Sequence, residues 1–155
     1  MKNVCVFAGA SSGKKPAYAE AAHDLGRLIA SYGLGLVYGG GRNGLMGRVA
    51  DGAIECGGHV TGIIPKFLDR VEIGHAGVTK LHVIDTMHQR KEMMYASSDA
   101  FVILPGGLGT LDETMEITTW RQLDLHKKPV IILNVGGYWD HLLSMLDTVI
   151  AEGFM

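Results

Sequence analysis

The sequence predicts an α/β fold built on a parallel sheet, and three observations point to it. Short apolar runs alternate with amphipathic stretches along the chain of 155 residues. The runs are continuous, without interspersed polar residues, which is typical of strands buried on both faces. Glycine-rich loops follow several runs, at the edge where such sheets bind ligands. We therefore expect a doubly wound, Rossmann-like parallel sheet of six or more strands with helices on both faces.

The first part of the chain contains two strands around one helix. Asn3–Ala8 is an apolar run, and Pro16 opens a helical stretch that Gly33 ends. Leu34–Tyr38 is the second strand, and a glycine-rich loop at residues 39–44 follows it. The helix repeats its apolar side chains at helical spacing through Tyr18, Ala22, Leu25, Ile29 and Tyr32.

The middle of the chain contains two further strands. His59–Ile64 is the third, ended by Pro65, and Leu81–Ile84 is the fourth. Residues 66–79 between them show no clear period, and Met87–Ser97 is a helix. The helix before the third strand carries Leu45, Val49 and Ala53 on one face.

The last part of the chain repeats the pattern. Phe101–Leu104 and Val130–Val135 are the fifth and sixth strands, and a helix from about Leu111 to Leu125 separates them. The final helix has close to ideal amphipathic spacing, with apolar positions at Trp139, Leu142, Leu143, Leu146, Val149 and Ile150.

Composition excludes several classes of protein. Apolar residues make up 47% of the chain, which argues against disorder. Glycine is in excess, at 22 residues, but without the Gly-X-Y period of collagen. The net charge of −2 indicates no general attraction to nucleic acid or to a membrane surface, so neither is expected as a partner.

Length and cysteine content indicate one cytoplasmic domain. The size suits a single nucleotide-binding domain over residues 1–155. Cys5 and Cys56 form no CxxC pair, which suits a reducing compartment. No apolar run reaches the roughly 20 residues of a membrane span. The sequence stops at Gly153-Phe154-Met155, just after a helix, and from this we expect that a C-terminal segment is absent.

Two early glycine-rich loops match nucleotide-binding patterns only in part. Residues 39–44 fit G-x-G-x-x-G, but no acidic residue ends the following strand, which disfavours NAD. Turn or packing glycines and direct ligand contact fit this loop equally well. Residues 9–13 resemble a P-loop that is one residue short, and Lys15 replaces its Ser or Thr, which disfavours an ATPase. Ser11 and Ser12 suit a ligand contact or a solvated turn.

The third glycine-rich loop, residues 105–109, leads into a helix with two carboxylates near its start. Unpaired N–H groups at a helix N-terminus form an anion site, and glycines let a phosphate approach. Thr110-x-x-Glu113 also fits a capping box, in which case Glu113 only caps the helix. A phosphate and two carboxylates share one helix end poorly, so we expect Asp112 and Glu113 to face uncharged sugar hydroxyls.

One basic residue lies on a helix face that is otherwise apolar. Arg90 follows Met87 by three residues and precedes Met94 by four. Its stem can pack there while its head reaches water, or its guanidinium can bind phosphate or sugar in the crevice. The sequence leaves both interpretations open. The seven histidines are scattered without metal-ligand spacing, so neither a metal nor a cofactor is expected.

Three motifs in order resemble a known family. They are Val37–Gly41 with Gly44–Gly47, Met87–Lys91 and Pro105–Glu113. Together they resemble the LOG ("Lonely guy") family of cytokinin riboside 5′-monophosphate phosphoribohydrolases, often labelled lysine decarboxylases. The similarity runs from Val4 to about Phe154. Leu108 and Asp112 depart from the Tyr and Glu usual in plant members, which leaves the base preference open.

The resemblance implies roles for particular residues. It implies that Arg90 and Glu113 are catalytic and that the protein is a homodimer without a cofactor. The substrate contacts that it implies are Glu72, Lys91, Gly106, Gly107, Gly109, Thr110, Leu111, Asp112 and Thr119.

The implied reaction is hydrolysis of the N-glycosidic bond of a purine nucleoside 5′-monophosphate, of cytokinin or adenosine type. The products are the free base and ribose 5-phosphate. Cleavage makes C1′ oxocarbenium-like, and a carboxylate such as Glu113 stabilises that charge. One alternative is a non-catalytic carrier of a nucleotide or cofactor, against which the combination of Arg90 and Glu113 argues. A pyridoxal-phosphate-dependent lysine decarboxylase is less favoured, because no lysine has a distinctive context.

Overall fold

The computed structural model describes residues 2–155, except for the side chains of Val71 and Glu72. Its centre is a six-stranded sheet, paired in parallel throughout, in the order β4-β3-β2-β1-β5-β6. This architecture confirms the predicted doubly wound α/β fold. The strands are β1 (Asn3–Phe7), β2 (Gly35–Tyr38), β3 (Val60–Pro65), β4 (Lys80–Ile84), β5 (Ala100–Ile103) and β6 (Val130–Ile132).

Helices cover both faces of the sheet. Helices α1 and α2 pack over one face, where Val6 and Val49 belong to the same buried cluster. Helices α4 and α5 bring Met94 and Ile117 to the other face, where they pack with Phe101. The helices are α1 (Pro16–Ser31), α2 (Gly44–Glu55), α3 (Lys66–Leu68), α4 (Met87–Ala96), α5 (Leu108–Gln122) and α6 (Asp140–Ala151).

The strand order changes direction at β1. The chain builds the sheet outward from β1 to β4 and then returns, so that Cys5 pairs with Val37 on one side and Phe101 on the other. Open α/β sheets bind ligands beyond the carboxyl ends of the strands at such a switch point. Three glycine-rich loops meet at this edge. We call them the β1 loop (residues 9–13), the β2 loop (residues 39–44) and the β5 loop (residues 105–109).

Several element boundaries differ from the sequence prediction. Helix α5 begins at Leu108, earlier than predicted. Strand β6 ends at Ile132, and after two further residues a 3₁₀ turn follows at Val135–Gly137, whose two glycines have φ of 57° and 73°. The segment 66–79, for which the sequence shows no period, contains α3 and a π-helical turn, Asp69–Ile73.

Two elements are more exposed than their apolar sequences indicate. Strand β4 forms the edge of the sheet, and its Leu81 and Val83 are 36% and 45% exposed. The expectation of burial on both faces is therefore wrong for this strand. On α6, Leu143 and Ile150 also face outward despite their helical spacing. No helix within residues 2–155 is both long enough and apolar enough to span a bilayer.

The two cysteines have different environments, and neither forms a disulfide. Cys5 lies buried between the sheet and helices α4 and α5. Burial, followed by the negative charge of Glu113, raises the pKa of the Cys5 thiol well above its usual value. Cys56, at the end of α2, is exposed.

Candidate active site

A cavity of about 510 Å³ opens at the carboxyl ends of the central strands. The β1 loop and the β5 loop form two of its walls, and Arg90 and Glu113 both contribute to its lining. Gly106, Gly107, Gly109 and Thr110 line it as well. The structure therefore brings six of the residues named from the sequence together around one space.

Arg90 reaches the cavity from the first turns of α4. The helix begins with a capping box in which Gln89 N–H donates to Thr86 Oγ1 at 3.2 Å and Thr86 N–H donates to Gln89 Oε1 at 3.1 Å. Arg90 is only 4% exposed. Its Nη2 donates to the Gly39 carbonyl at 2.7 Å and its Nε to the Ile63 carbonyl at 3.2 Å. The interpretation that the guanidinium reaches bulk water is therefore wrong.

The β2 loop makes room for that guanidinium. A Cβ atom on Gly39 would overlap Arg90 Nη2, so only glycine leaves the space that the buried cation occupies. A Cβ on Gly40 would lie 3.0 Å from Ile64 Cβ, and one on Gly44 would overlap the backbone of Ala10. These three glycines therefore fit the packing interpretation, one of the two that the sequence leaves open, and Gly39 also lines the cavity.

Glu113 lies on the first turns of α5 and is 8% exposed. The capping box predicted as an alternative does not form, because Gly107 is the N-cap and Thr110 lies inside the helix. Thr110 instead packs its hydroxyl against the β5 loop, where a Cβ on Gly106 would overlap Oγ1. The helix start thus turns the carboxylate of Glu113 toward the cavity instead of using it as a cap.

The N-terminus of α5 is open toward the cavity. Apart from the chain neighbours and the backbone of α5 itself, no atom of the described residues lies within 4 Å of the position that a Cβ on Gly107 or on Gly109 would occupy. The first N–H groups of a helix have no partner within the helix, and the helix dipole makes this end attractive to anions. Together these features form a site that accepts a phosphate group.

The N-terminus of α2 is closed by contrast. The Gly9 carbonyl accepts hydrogen bonds from Leu45 N–H at 3.0 Å and Met46 N–H at 3.2 Å. Gly9 N–H also donates to the Pro105 carbonyl at 3.0 Å, which joins the β1 loop to the β5 loop. An anion at this second helix end would compete with a carbonyl oxygen already in place.

Lys91 and Asp112 lie together, beyond the residues that line the cavity. Lys91 Nζ is 3.2 Å from Asp112 Oδ2 and 3.2 Å from Glu116 Oε2, so the three charges link α4 to α5. Burial lowers the pKa of Lys91, but hydrogen bonds to the two carboxylates outweigh it and hold that pKa above its usual value. No sequence motif singles out Glu116, although it lies one helical turn after Asp112.

The remaining residues implied by resemblance have other positions. Leu111 packs against the buried cluster beneath α4 and α5, and Thr119 is exposed further along α5. The side chain of Glu72 lies outside the described part of the structure. Ser11 and Ser12 line the cavity from the β1 loop. Among the described residues, no group of three or more His, Cys, Asp or Glu side chains is placed to hold a metal ion.

Two aromatic residues also line the cavity. Tyr18 and Tyr138 both line the cavity, and their rings meet edge to face with centroids 5.5 Å apart. The sequence analysis placed Tyr18 only on the apolar stripe of α1 and did not single out Tyr138. The one available signal was the pair Gly136-Gly137, which marks a turn directly before an aromatic residue.

The chain is similar to known proteins over nearly its whole length. The model of a family described as possible lysine decarboxylase matches residues 46–155. Cytokinin riboside 5′-monophosphate phosphoribohydrolase LOG3 of Arabidopsis thaliana is 49% identical over 99% of this chain and 72% of its own length. A probable enzyme of the same name from Oryza sativa subsp. japonica, LOGL9, is 48% identical over 99% of this chain and 68% of its own length.

A solved structure shares the fold. The molybdenum cofactor binding protein of Rippkaea orientalis superposes with a TM-score of 0.73 and is 28% identical. The match covers 96% of this chain and 86% of that protein. One architecture therefore occurs both in enzymes named for nucleotide hydrolysis and in a protein named for binding a cofactor.

Proposed function

The chain belongs to the family of possible lysine decarboxylases, the LOG family, and on this premise we propose that it is a nucleoside 5′-monophosphate phosphoribohydrolase. The reaction is hydrolysis of the N-glycosidic bond of a purine nucleotide to the free base and ribose 5-phosphate. The observation that carries the proposal is the meeting of a buried Arg90, a buried Glu113 and the open N-terminus of α5 in one cavity.

The substrate phosphate binds at the start of α5. Gly107 and Gly109 leave the space, and the N–H groups of the first helical turn donate to the phosphate oxygens. This contact orients the ribose toward the interior of the cavity, where Glu113 lies. Binding energy from the phosphate, remote from the bond that breaks, thereby positions the reacting carbon.

Glu113 stabilises the transition state. When the bond from C1′ to the base nitrogen breaks, its electron pair leaves with the base and C1′ becomes positively charged. A buried carboxylate such as Glu113 stabilises that charge more strongly than one in water. Water then adds to C1′, and the leaving base takes up a proton. Arg90, fixed by the carbonyls of Gly39 and Ile63, anchors the substrate beside Glu113.

The direct experiment is chromatography after incubation with AMP, isopentenyl-AMP and the other purine nucleoside 5′-monophosphates. We expect free base and ribose 5-phosphate from at least one substrate. Glu113→Gln is expected to lower kcat by about 100-fold or more, because it removes the charge that faces C1′. Glu20→Gln removes the same charge from an exposed position on α1 and is the matched control. Full turnover by Glu113→Gln would disprove the assigned role.

A cofactor carrier is the second candidate, and the likeness to a molybdenum cofactor binding protein is the observation in its favour. Phosphate binding alone does not call for a buried carboxylate in the same cavity, so Glu113 favours hydrolysis. The same chromatography distinguishes the two functions. Tight binding of nucleotides without release of base would support the carrier and contradict the hydrolase.

The residues do not fit the decarboxylase that the family description suggests. That chemistry requires a lysine to form a Schiff base with pyridoxal phosphate. No lysine lies among the described residues that line the cavity, and Lys91 is paired with Asp112 and Glu116. Lysine incubated with the protein and pyridoxal phosphate is expected to give no cadaverine.

We further propose that the enzyme acts as a homodimer in the cytoplasm. Free thiols at Cys5 and Cys56 suit a reducing compartment. Leu81 and Val83, exposed on the edge strand β4, supply apolar surface for an interface. Light scattering during size-exclusion chromatography is expected to give twice the chain mass of 16.7 kDa. A mass of one chain would contradict the dimer.

A further inference from the structure

The connection between β6 and α6 contacts the β5 loop through one side chain. The Tyr138 hydroxyl donates a hydrogen bond of 2.6 Å to the Gly106 carbonyl. Tyr138 lines the cavity and remains 40% exposed, so its hydroxyl lies at the boundary of the site. Neither the three sequence motifs nor the mechanism above uses this residue.

The turn that carries Tyr138 is held in place by its own side chains. Asn134 Oδ1 accepts from Trp139 N–H at 2.7 Å, and Asn134 Nδ2 donates to Asp140 Oδ1 at 2.7 Å. The Tyr138 ring meets Trp139 edge to face at 4.7 Å and Tyr18 at 5.5 Å. The hydroxyl is therefore presented from a fixed position, with little rotational freedom left to lose when it bonds.

Two consecutive carbonyls of the β5 loop are tied to its neighbours. Gly9 N–H holds the Pro105 carbonyl at 3.0 Å, and the Tyr138 hydroxyl holds the Gly106 carbonyl. Both following peptide bonds are trans, and in a trans peptide the N–H points opposite to the C=O. Fixing these carbonyls therefore fixes the directions of the Gly106 and Gly107 N–H groups.

These N–H groups lie directly before the open start of α5. The space beside Gly107 is free of other atoms, and the helix dipole adds its positive end to the same region. N–H groups at the start of a helix bind anions. If these peptides could rotate freely, they would have to be ordered each time the phosphate binds, and this ordering would weaken binding.

We propose that Tyr138 is a positioning residue, whose hydroxyl holds the Gly106–Gly107 peptide in the orientation that binds the substrate 5′-phosphate. This inference rests on the proposed function, because it takes the β5 loop as the phosphate site. Tyr138 acts through the backbone and does not contact the bond that breaks. Its contribution is therefore specific to ligands that carry a phosphate.

The test is Tyr138→Phe, which keeps the ring and removes only the hydroxyl. Calorimetry is expected to show about fivefold weaker binding of ribose 5-phosphate, the loss that one hydrogen bond typically accounts for. Binding of adenosine, which has no phosphate, is expected to stay unchanged. With AMP as substrate, KM rises by the same factor while kcat stays within about twofold, because transition-state contacts at C1′ are retained.

Matched variants separate positioning from general stability. Tyr32→Phe removes a hydroxyl from a side chain that is 75% exposed and outside the cavity lining, so it is expected to leave both ligands unaffected. Asn134→Ala loosens the turn without touching the cavity and is expected to weaken ribose 5-phosphate binding by a smaller factor. A purely structural role for Tyr138 would weaken adenosine and ribose 5-phosphate alike, which would overturn the proposal.

Three further outcomes are distinguishable. If Tyr138→Phe and the wild-type protein bind ribose 5-phosphate equally, the positioning role is wrong even when base release is normal. If the wild-type protein binds ribose 5-phosphate but releases no base from any nucleotide, the hydrolase function fails while the calorimetric test of Tyr138 stands. If the wild-type protein binds neither ribose 5-phosphate nor inorganic phosphate, both are wrong.

Discussion

The β2 loop and the β5 loop both lead into the first turn of a helix at the same edge of the sheet, and both are rich in glycine. In the β2 loop, the missing side chains make room for other protein atoms, as at Gly39 beside Arg90 and Gly44 beside Ala10. In the β5 loop, a Cβ on Gly107 or Gly109 would face space that the described residues beyond α5 and the adjacent chain leave open. These glycines of the β2 loop allow close packing, whereas Gly107 and Gly109 of the β5 loop leave space at the cavity.

The helix that follows each loop shows the same difference. The first N–H groups of α2 are taken by the Gly9 carbonyl, so that helix end is satisfied within the protein. The start of α5 opens on the cavity instead. A nucleotide-binding pattern such as G-x-G-x-x-G specifies a tight turn before a helix. Such a turn binds a ligand only where the N–H groups of the first helical turn have no partner within the protein.

The largest effect, a loss of activity, is expected from Gly39→Ala, which disturbs the contact between the β2 loop and Arg90. The new methyl group overlaps Arg90 Nη2 and forces the guanidinium out of its pocket. Misplacing a substrate-anchoring group by about an ångström costs on the order of 100-fold in kcat/KM, measured by base release. A variant that stays folded by circular dichroism and keeps full activity would show that Arg90 needs no fixed position.

Gly44→Ala is expected to act on stability. Gly44 has φ of 61°, which disfavours any residue with a Cβ, and its backbone neighbour Ala10 cannot move aside as a flexible side chain would. We expect a loss of about 2 kcal/mol in the free energy of unfolding, measured with urea. A loss below about 0.5 kcal/mol would contradict the assignment of this loop to packing.

Gly109→Ala is expected to have the smallest effect of the three substitutions. Unlike Gly44→Ala, it is expected to stabilise the protein. Gly109 lies in the first turn of α5 with open space beside it, so alanine stabilises the helix by up to about 1 kcal/mol in thermal unfolding. The same methyl group intrudes on the phosphate, and the affinity for ribose 5-phosphate is expected to fall by about tenfold. Unchanged affinity would place the phosphate elsewhere.

The fold could be predicted because its signals are local. Continuous apolar runs such as Leu34–Tyr38 identify buried strands, and helical spacing identifies the covering helices. The start of α5 was missed because Leu108 and Gly109 follow two glycines, which locally resemble a loop. The parallel topology followed from alternation of strands and helices.

The candidate site was only partly predictable, because its contacts join distant parts of the chain. Arg90 and Glu113 were identified as candidates, but the burial of Arg90 depends on Gly39, 51 residues earlier. The hydrogen bond from Tyr138 to Gly106 joins residues 32 positions apart, and no local sequence pattern predicts it. The different use of the two glycine-rich loops also required their neighbours in space, since both have similar local sequences.

The rates at which the two cysteines react with an alkylating reagent reveal how often the native protein opens locally around Cys5. An exposed Cys56 is accessible to an alkylating reagent, whereas burial keeps the Cys5 thiol protonated and shielded between β1 and the helices that carry Arg90 and Glu113. Cys56 is therefore expected to react quickly, and Cys5 only when the packing around it opens. The mass of the labelled protein over time thus measures how often the packing around Cys5 opens. A ligand that stabilises the cavity is expected to slow the labelling of Cys5.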